Sequence, residues 1–270
     1  MKQIFSEQRI TGYFRKNGFF LKSGVWCAQS PDASSPAELM YHSLRNKEGW
    51  IYPDQIVRQL PDIGHGDQHY GQWRVRKKSF RRLLHYLETK YPFGTILDMG
   101  SGNGWMANAF AESGFYVCGL DLNYWELQQA ARVFHRSKNV EWLYGDIFSH
   151  VVPYDSMDAV VLASSLQYFD DVGRLLKTLF QTLHNGGEIH IIDTPFYRDH
   201  EKKEAVRRSQ DYYARIGYPD FAVHYRHRTY EELEPYPYSV LYNPTSITNV
   251  LKRFIDRSSS QFPWIIIKKP

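Results

Sequence analysis

The chain has 270 residues, 43% hydrophobic and 23% charged, with a formal net charge of +4 and a pI near 8.8. That length and balance exclude a disordered or fibrous chain and leave one large α/β domain, or one domain with an elaboration. Two cysteines, Cys27 and Cys118, give neither a disulfide framework nor zinc-ligand spacing, and no apolar run approaches membrane-spanning length. With no apolar leader, the expected setting is a reducing cytoplasm away from membranes, with Cys118 a buried free thiol inside an apolar strand. The mild basicity permits a nucleic-acid partner without demanding one.

Residues 1–72 carry aromatic clusters (Phe14, Phe19, Phe20, Trp26, Trp50, Tyr52) between turn-prone patches at Ser30-Pro31-Asp32 and Pro36. The segment is too aromatic for disorder and is read as an ordered extension or cap facing the substrate. Over 73–90, Phe80, Leu83, Leu84 and Leu87 recur at helical spacing, which predicts a helix. Arg74, Arg76, Lys77, Lys78, Arg81 and Arg82 surround that stripe, as phosphate contacts or simply as a solvated face.

Thr95-Ile96-Leu97-Asp98-Met99 is an apolar run ending in Gly100-Ser101-Gly102-Asn103-Gly104, and the residues from Trp105 to Ala111 read as a helix. Glycines at alternate positions permit left-handed backbone and close approach of a ligand, and the helix that follows aims its free N–H groups into the same crevice. The dinucleotide fingerprint wants a glycine where Trp105 stands. Asp98, ahead of the first glycine, repels a pyrophosphate but suits an ammonium group.

From residue 95 strands and helices alternate: strand Tyr116–Leu120, helix Tyr124–Phe134, strand Val140–Tyr144, strand Met157–Ala163, helix Val172–Leu183 and strand Glu188–Asp193 after a break at Asn185-Gly186-Gly187. Such alternation predicts an α/β fold with a parallel sheet, helices on both faces, and a ligand crevice beyond the carboxyl ends of the strands. Residues 194–245 form an insertion with a charged helix (about His200–Ile216) and an aromatic, His-rich stretch from Tyr218 to Tyr242. A helix Ser246–Phe254 and a strand Trp264–Lys268 close the chain.

Asp121 ends the second strand, where a carboxylate can accept both hydroxyls of a ribose. Asp146, after the third strand, suits a helix N-cap or a ligand amine. Bases for proton transfer are Asp193, at the end of the fifth strand, and His200, His224 and His227 in the insertion. Tyr225, Arg226 and Arg228 lie among those histidines and could meet an anionic substrate.

The stretch Leu97–Gly104 resembles motif I of the class I S-adenosylmethionine-dependent methyltransferases, of the type 11/25-like kind, and Gly119-Leu120-Asp121-Leu122 resembles their ribose-binding strand end. The resemblance covers about 95–193, plus the last strand. It implies a Rossmann-like, mostly parallel seven-stranded sheet whose last strand is antiparallel, with residues 73–270 as the methyltransferase domain and 194–245 as a substrate lid. It further implies S-adenosyl-L-methionine as cofactor, with Asp98, Gly100, Ser101, Gly102 and Gly104 at its methionine part and Asp121 on the ribose. Asp146 would take the adenine amine, Leu122 and Ile147 would sandwich the ring, and Ser164 would line the cofactor. Gln167 and Tyr168 would face the substrate beside the reactive methyl. Tyr70 and Trp73-Arg74 would fold over the methionine end, an Arg meeting its carboxylate.

Neither an Asn-Pro-Pro-Tyr type motif nor a cysteine follows the fourth strand, which counts against adenine-N and cytosine-C5 methylation of nucleic acid. The expected activity is methyl transfer to an oxygen or nitrogen of a small molecule or biosynthetic intermediate. An RNA methyltransferase, favoured by the basic helix, and a non-catalytic S-adenosylmethionine-binding protein stand as alternatives. A nicotinamide oxidoreductase is disfavoured by Trp105 and Asp98.

Overall fold

The computed structural model describes residues 2–31, 36–256 and 258–270; Asp32, in the turn-prone patch at Ser30-Pro31-Asp32, lies outside them. Helix α1 (Lys2–Lys16) precedes a hairpin of β1 (Phe20–Lys22) and β2 (Val25–Cys27), then α2 (Pro36–Lys47), the single turn α3 (Asp54–Val57) and α4 (Tyr70–Lys90). The alternating part runs β3 (Thr95–Met99), α5 (Trp105–Glu112), β4 (Tyr116–Asp121), α6 (Tyr124–Val133), β5 (Val140–Tyr144), β6 (Met157–Ala163), α7 (Val172–Thr182) and β7 (Leu183–Ile192). There follow β8 (Phe196–Tyr197), α8 (Asp199–Arg215), β9 (Arg228–Thr229), β10 (Tyr238–Tyr242), α9 (Ile247–Ile255) and β11 (Trp264–Lys268).

One sheet takes the order β1-β2-β5-β4-β3-β6-β7-β11-β10, while β8 and β9 pair separately. Strands β2 to β7 are parallel to their neighbours, whereas β1, β11 and β10 run antiparallel. The α/β class with a mostly parallel, Rossmann-like sheet is therefore what the chain adopts, with nine strands rather than seven. The surplus comes from the N-terminal extension, where Val25–Cys27 pairs in parallel with Trp142–Tyr144 and the Trp26 indole N–H donates to Glu141 at 2.8 Å. The extension thus belongs partly to the sheet and only partly to the wall of the cleft.

Strand β10 ends the aromatic, His-rich stretch, for which no strand is expected from the sequence. Its Ser239, Val240 and Leu241 are all exposed at the sheet edge, so the alternation that marks a half-buried strand is missing. The expected break at Asn185-Gly186-Gly187 takes the form of a bulge within β7. Pairing with β6 jumps from Met157↔Leu183 to Ala159↔Glu188, and Gly186 supplies φ 78°.

Strand β3 is buried along its whole length, as the centre of a parallel sheet covered on both faces requires. Leu83, Phe110 and Leu127 of α4, α5 and α6 pack on one face, and Phe14, Leu176 and Leu179 of α1 and α7 on the other. Each such buried side chain contributes about 2 kcal/mol. A third, smaller cluster of Leu44, Tyr213 and Phe221 ties α2 to the insertion. The strand order reverses beside β3, so the crevice opens at the carboxyl ends of β3 and β6. Among the described residues no helix is long and apolar enough to cross a membrane.

Candidate functional site

The crevice is a cleft of about 1210 Å³ walled by the strand ends, by α2 and α4, and by the insertion. Its floor is the glycine turn. Gly100, Gly102 and Gly104 hold φ of 80°, 53° and 77°. A Cβ on Gly100 would meet the Ser165 Cβ at 2.5 Å, and one on Gly104 would meet the Trp142 ring at 2.5 Å and Ala130 at 2.6 Å. Gly104 therefore packs the turn onto the sheet and α6, and it does not line the cleft.

Carboxylates gather around this turn. Asp98 is 2% exposed; burial pushes its pKa up to about 7, against which the Ser101 hydroxyl donates to it at 3.0 Å. Asp121 accepts the Gly102 N–H at 2.7 Å and the Asn123 N–H at 2.8 Å, one on each oxygen, and burial raises its pKa. Each oxygen keeps a further acceptor site, so the carboxylate is oriented and still able to take two hydroxyls. Glu126 stands beside them at the start of α6, pushed up to about 7 by burial and by Asp121.

Asp146 lines the cleft and also caps a short 3₁₀ turn, accepting the Phe148 N–H at 3.0 Å. The apolar residue presented to the cleft is Phe148, two positions after Asp146, rather than Ile147, which that turn rotates into the core at 2% exposure. The Arg174 guanidinium covers the Phe148 ring at 4.1 Å. Leu122 lines the cleft with 43% of its surface open.

Ser164, at φ 54°, donates its hydroxyl to the Asp193 carbonyl at 2.9 Å, which joins the ends of β6 and β7. Gln167 donates to the Ser164 carbonyl at 2.6 Å, and its Oε1 is buried with no partner among the described residues. Tyr168 accepts from Arg45 and stands edge-on to Tyr225, with ring centres 6.1 Å apart. Asp193 is 7% exposed; burial pushes its pKa up to about 6, while the Ser79 hydroxyl donates to it at 2.7 Å.

Of the four candidate bases, Asp193 and His224 reach the cleft, and His200 and His227 do not. His227 is buried behind the wall, its Nε2 at 2.8 Å from the Ser209 hydroxyl, because the β8–β9 pairing turns it toward α8. Exposed His200 sits at the start of α8, away from the cleft lining. Arg226 is outside the lining and pairs at 2.7 Å with exposed Asp170 on the cleft's rim, and Arg228 is consumed by Glu232 and the Phe169 carbonyl. On α4, Trp73 lines the cleft but Arg74 pairs with Asp256 at 3.7 Å on the outer face, and Tyr70 meets His65.

Sequence reasoning missed Glu38, Tyr41 and Arg45 of α2, together with Arg76 and Glu126, all of which line the cleft. The α2 residues lie at i, i+3 and i+7 and so share one helix face, a periodicity readable in the sequence. Arg76 is one helical turn from Ser79 and lies between Trp73 and Phe80, both of which pack inward.

A family model described as a methyltransferase domain matches residues 97–191. An uncharacterized methyltransferase of Mycobacterium bovis is 30% identical over 123 residues, 43% of this chain and 62% of its own length. The chain thus spans under two thirds of that relative. Eugenol O-methyltransferase of Ocimum basilicum is 28% identical over 114 residues, 42% of this chain and 30% of its own. Geranyl diphosphate C-methyltransferase of Streptomyces coelicolor, solved with Mg²⁺, geranyl diphosphate and S-adenosyl-L-homocysteine, superposes with a TM-score of 0.52 at 14% identity. That match covers 87% of this chain and 98% of the other, a likeness of fold.

Proposed function

We infer that this chain, a member of the class I S-adenosylmethionine-dependent methyltransferase family, transfers a methyl group from S-adenosyl-L-methionine to an oxygen or nitrogen atom of a small molecule. The observation that carries this reading is the convergence of Asp98, Asp121 and Asp146, from the ends of three adjacent strands, on one cleft floored by the glycine turn. The cleft fits the cofactor. Asp121 has acceptor sites for the ribose hydroxyls, Asp146 for the adenine amine, and Leu122 with Phe148 offers apolar faces for the ring. Asp98 and Ser101 stand at the methionine end of the turn.

The bound cofactor supplies an electrophilic methyl group. The chain's own part is to orient the acceptor and take its proton. Asp193 and His224 stand at the acceptor end, and Asp193, held by Ser79, is the base in our reading. Gln167 offers its unpartnered Oε1 to a donor on the acceptor.

A small acceptor is favoured over RNA by the state of the basic helix. Arg74 and Lys78 pair with Asp256, and Lys77 with Asp62, so half of that six-residue basic cluster already has carboxylate partners. Calorimetric titration with S-adenosylmethionine, S-adenosylhomocysteine and NAD, beside the Asp121→Ala variant, tests the assignment. Micromolar binding of the first two, lost in the variant, is expected; binding of NAD alone overturns it.

A further inference from the structure

The cations in the first half of helix α4 separate into two kinds. Arg74, Lys77 and Lys78 each have a carboxylate partner at the surface. Arg76 is partly buried, lines the cleft, and makes neither an ion pair nor a side-chain hydrogen bond among the described residues. Its guanidinium rests over two indoles, 5.0 Å from the Trp50 ring centre and 5.2 Å from that of Trp73. Both rings are fixed from behind. Trp50 stacks on His69 at 3.7 Å and 7°, and the Trp73 N–H donates to the Tyr52 hydroxyl at 3.1 Å. A guanidinium held partly out of water with no carboxylate in contact with it is unfavourable, and a ligand carboxylate would match its fork of donors.

The place of Arg76 on α4 marks which end of the cleft it serves. Arg76 lies one helical turn before Ser79, whose hydroxyl donates to Asp193 at 2.7 Å, and Asp193 is the strongest of the carboxylates acting on it, with Glu126 on the opposite side also attracting it. The same region is walled by the rings of Tyr41, Tyr168 and Tyr225. Arg45 offers no competing free charge, since Glu48 pairs with it at 2.8 Å.

We propose that Arg76, on its platform of Trp50 and Trp73, binds the carboxylate of the methyl acceptor, which is therefore an aromatic carboxylic acid. This rests on the methyltransferase reading above. The carboxylate seated on Arg76 fixes one end of the molecule, the tyrosine rings hold its plane, and the atom to be methylated lies toward Asp193.

Benzoate and its neutral isostere benzamide are the probes. Each is titrated into protein saturated with S-adenosylhomocysteine, with tryptophan fluorescence reporting on Trp50 and Trp73 and calorimetry giving the affinity. Benzoate should bind about tenfold or more tightly than benzamide, and Arg76→Gln should abolish that preference. Binding of benzamide and of S-adenosylhomocysteine should stay within about twofold in the variant, which also serves as its folding control. Arg76→Lys should fall between, as a point charge lacks the fork. Equal affinity for the two probes overturns the proposal. So does an Arg76→Gln variant that loses S-adenosylhomocysteine while keeping its preference for benzoate, because the guanidinium would then serve the cofactor's carboxylate. If the wild-type protein binds no S-adenosylhomocysteine, the methyltransferase reading fails instead, and titration of the two probes alone decides the subsite by the same criterion.

Discussion

The Ser79 hydroxyl donates to Asp193 Oδ1 across 2.7 Å, joining the middle of helix α4 to the residue that follows strand β7. Ser79 lies outside the stretch 97–191 that matches the methyltransferase domain, so a residue upstream of that domain holds the group we assign as base. The bond favours the ionised carboxylate, and burial opposes it, leaving Asp193 at about 6.

Activity should therefore fall as pH drops through about 6, where Asp193 takes up its proton. Ser79→Ala removes a bond to the charged form and should move that acidic limb upward by about one pH unit. A pH–rate profile of the two proteins decides the point. An unmoved limb would show that Asp193 is not the group whose ionisation limits turnover.

At Asp98 the cofactor contact we propose and folding stability conflict. Its folded pKa, about 7, is raised above the ordinary 3.8, so the folded state disfavours its charge. The sign follows. Below 3.8 the group is protonated in both states and the penalty is absent; between 3.8 and about 7 stability is progressively lost as pH rises. Asp98→Asn should raise the Tm of the cofactor-free protein by several degrees at pH 8 (on the order of 1–3 kcal/mol) and leave it unchanged below pH 3.8. The same variant should bind S-adenosylmethionine at least tenfold more weakly. Thermal unfolding at both pH values, beside calorimetry, checks both halves.

The glycine turn separates two kinds of constraint. Gly100→Ala adds both left-handed strain and a clash with Ser165 at 2.5 Å, and should cost about 2–4 kcal/mol. Gly102→Ala meets nothing closer than the Glu126 carboxylate at 3.6 Å and should cost about 1 kcal/mol from backbone strain alone. Adding Ser165→Gly to Gly100→Ala should recover part of the loss, a coupling that a double-mutant cycle in denaturant reads directly.

Leu44 is the apolar pin between α2 and the insertion, packed with Tyr213 and Phe221. Ser43 with Tyr218 at 2.7 Å and Glu48 with Tyr212 at 2.7 Å complete the joint. Leu44→Ala removes a fully buried side chain and should cost about 2–4 kcal/mol of local stability. Because this cluster is separate from the two main cores, faster hydrogen exchange in α2 and a raised acceptor KM are expected, with little change in Tm. A drop in Tm as large as that of Leu97→Ala, in the sheet core, would mean that the insertion and the core unfold as one unit.

Much of the molecule was legible without coordinates. The alternation from Thr95 to Ile192, the glycine turn, and the acids at 98, 121 and 146 rest on local periodicity and turn chemistry, and each lies where that chemistry puts it. Strand β10 escaped because an edge strand with three exposed residues in succession has no period to read. Hairpin β1–β2 escaped because three-residue strands are too short to show one.

The amino-acid order by itself determined the α/β class, the glycine turn and the three acids around it, since each depends on neighbours within a few residues. Only the tertiary structure decided which side chains face the cleft. Arg76 enters it while Arg74 pairs outside with Asp256; Phe148 faces it while Ile147 enters the core; His224 lines it while His227 is sealed against Ser209. Each choice is a rotation of one element about its own axis. The packing of that element against segments distant in the chain sets the angle, and no local pattern encodes it.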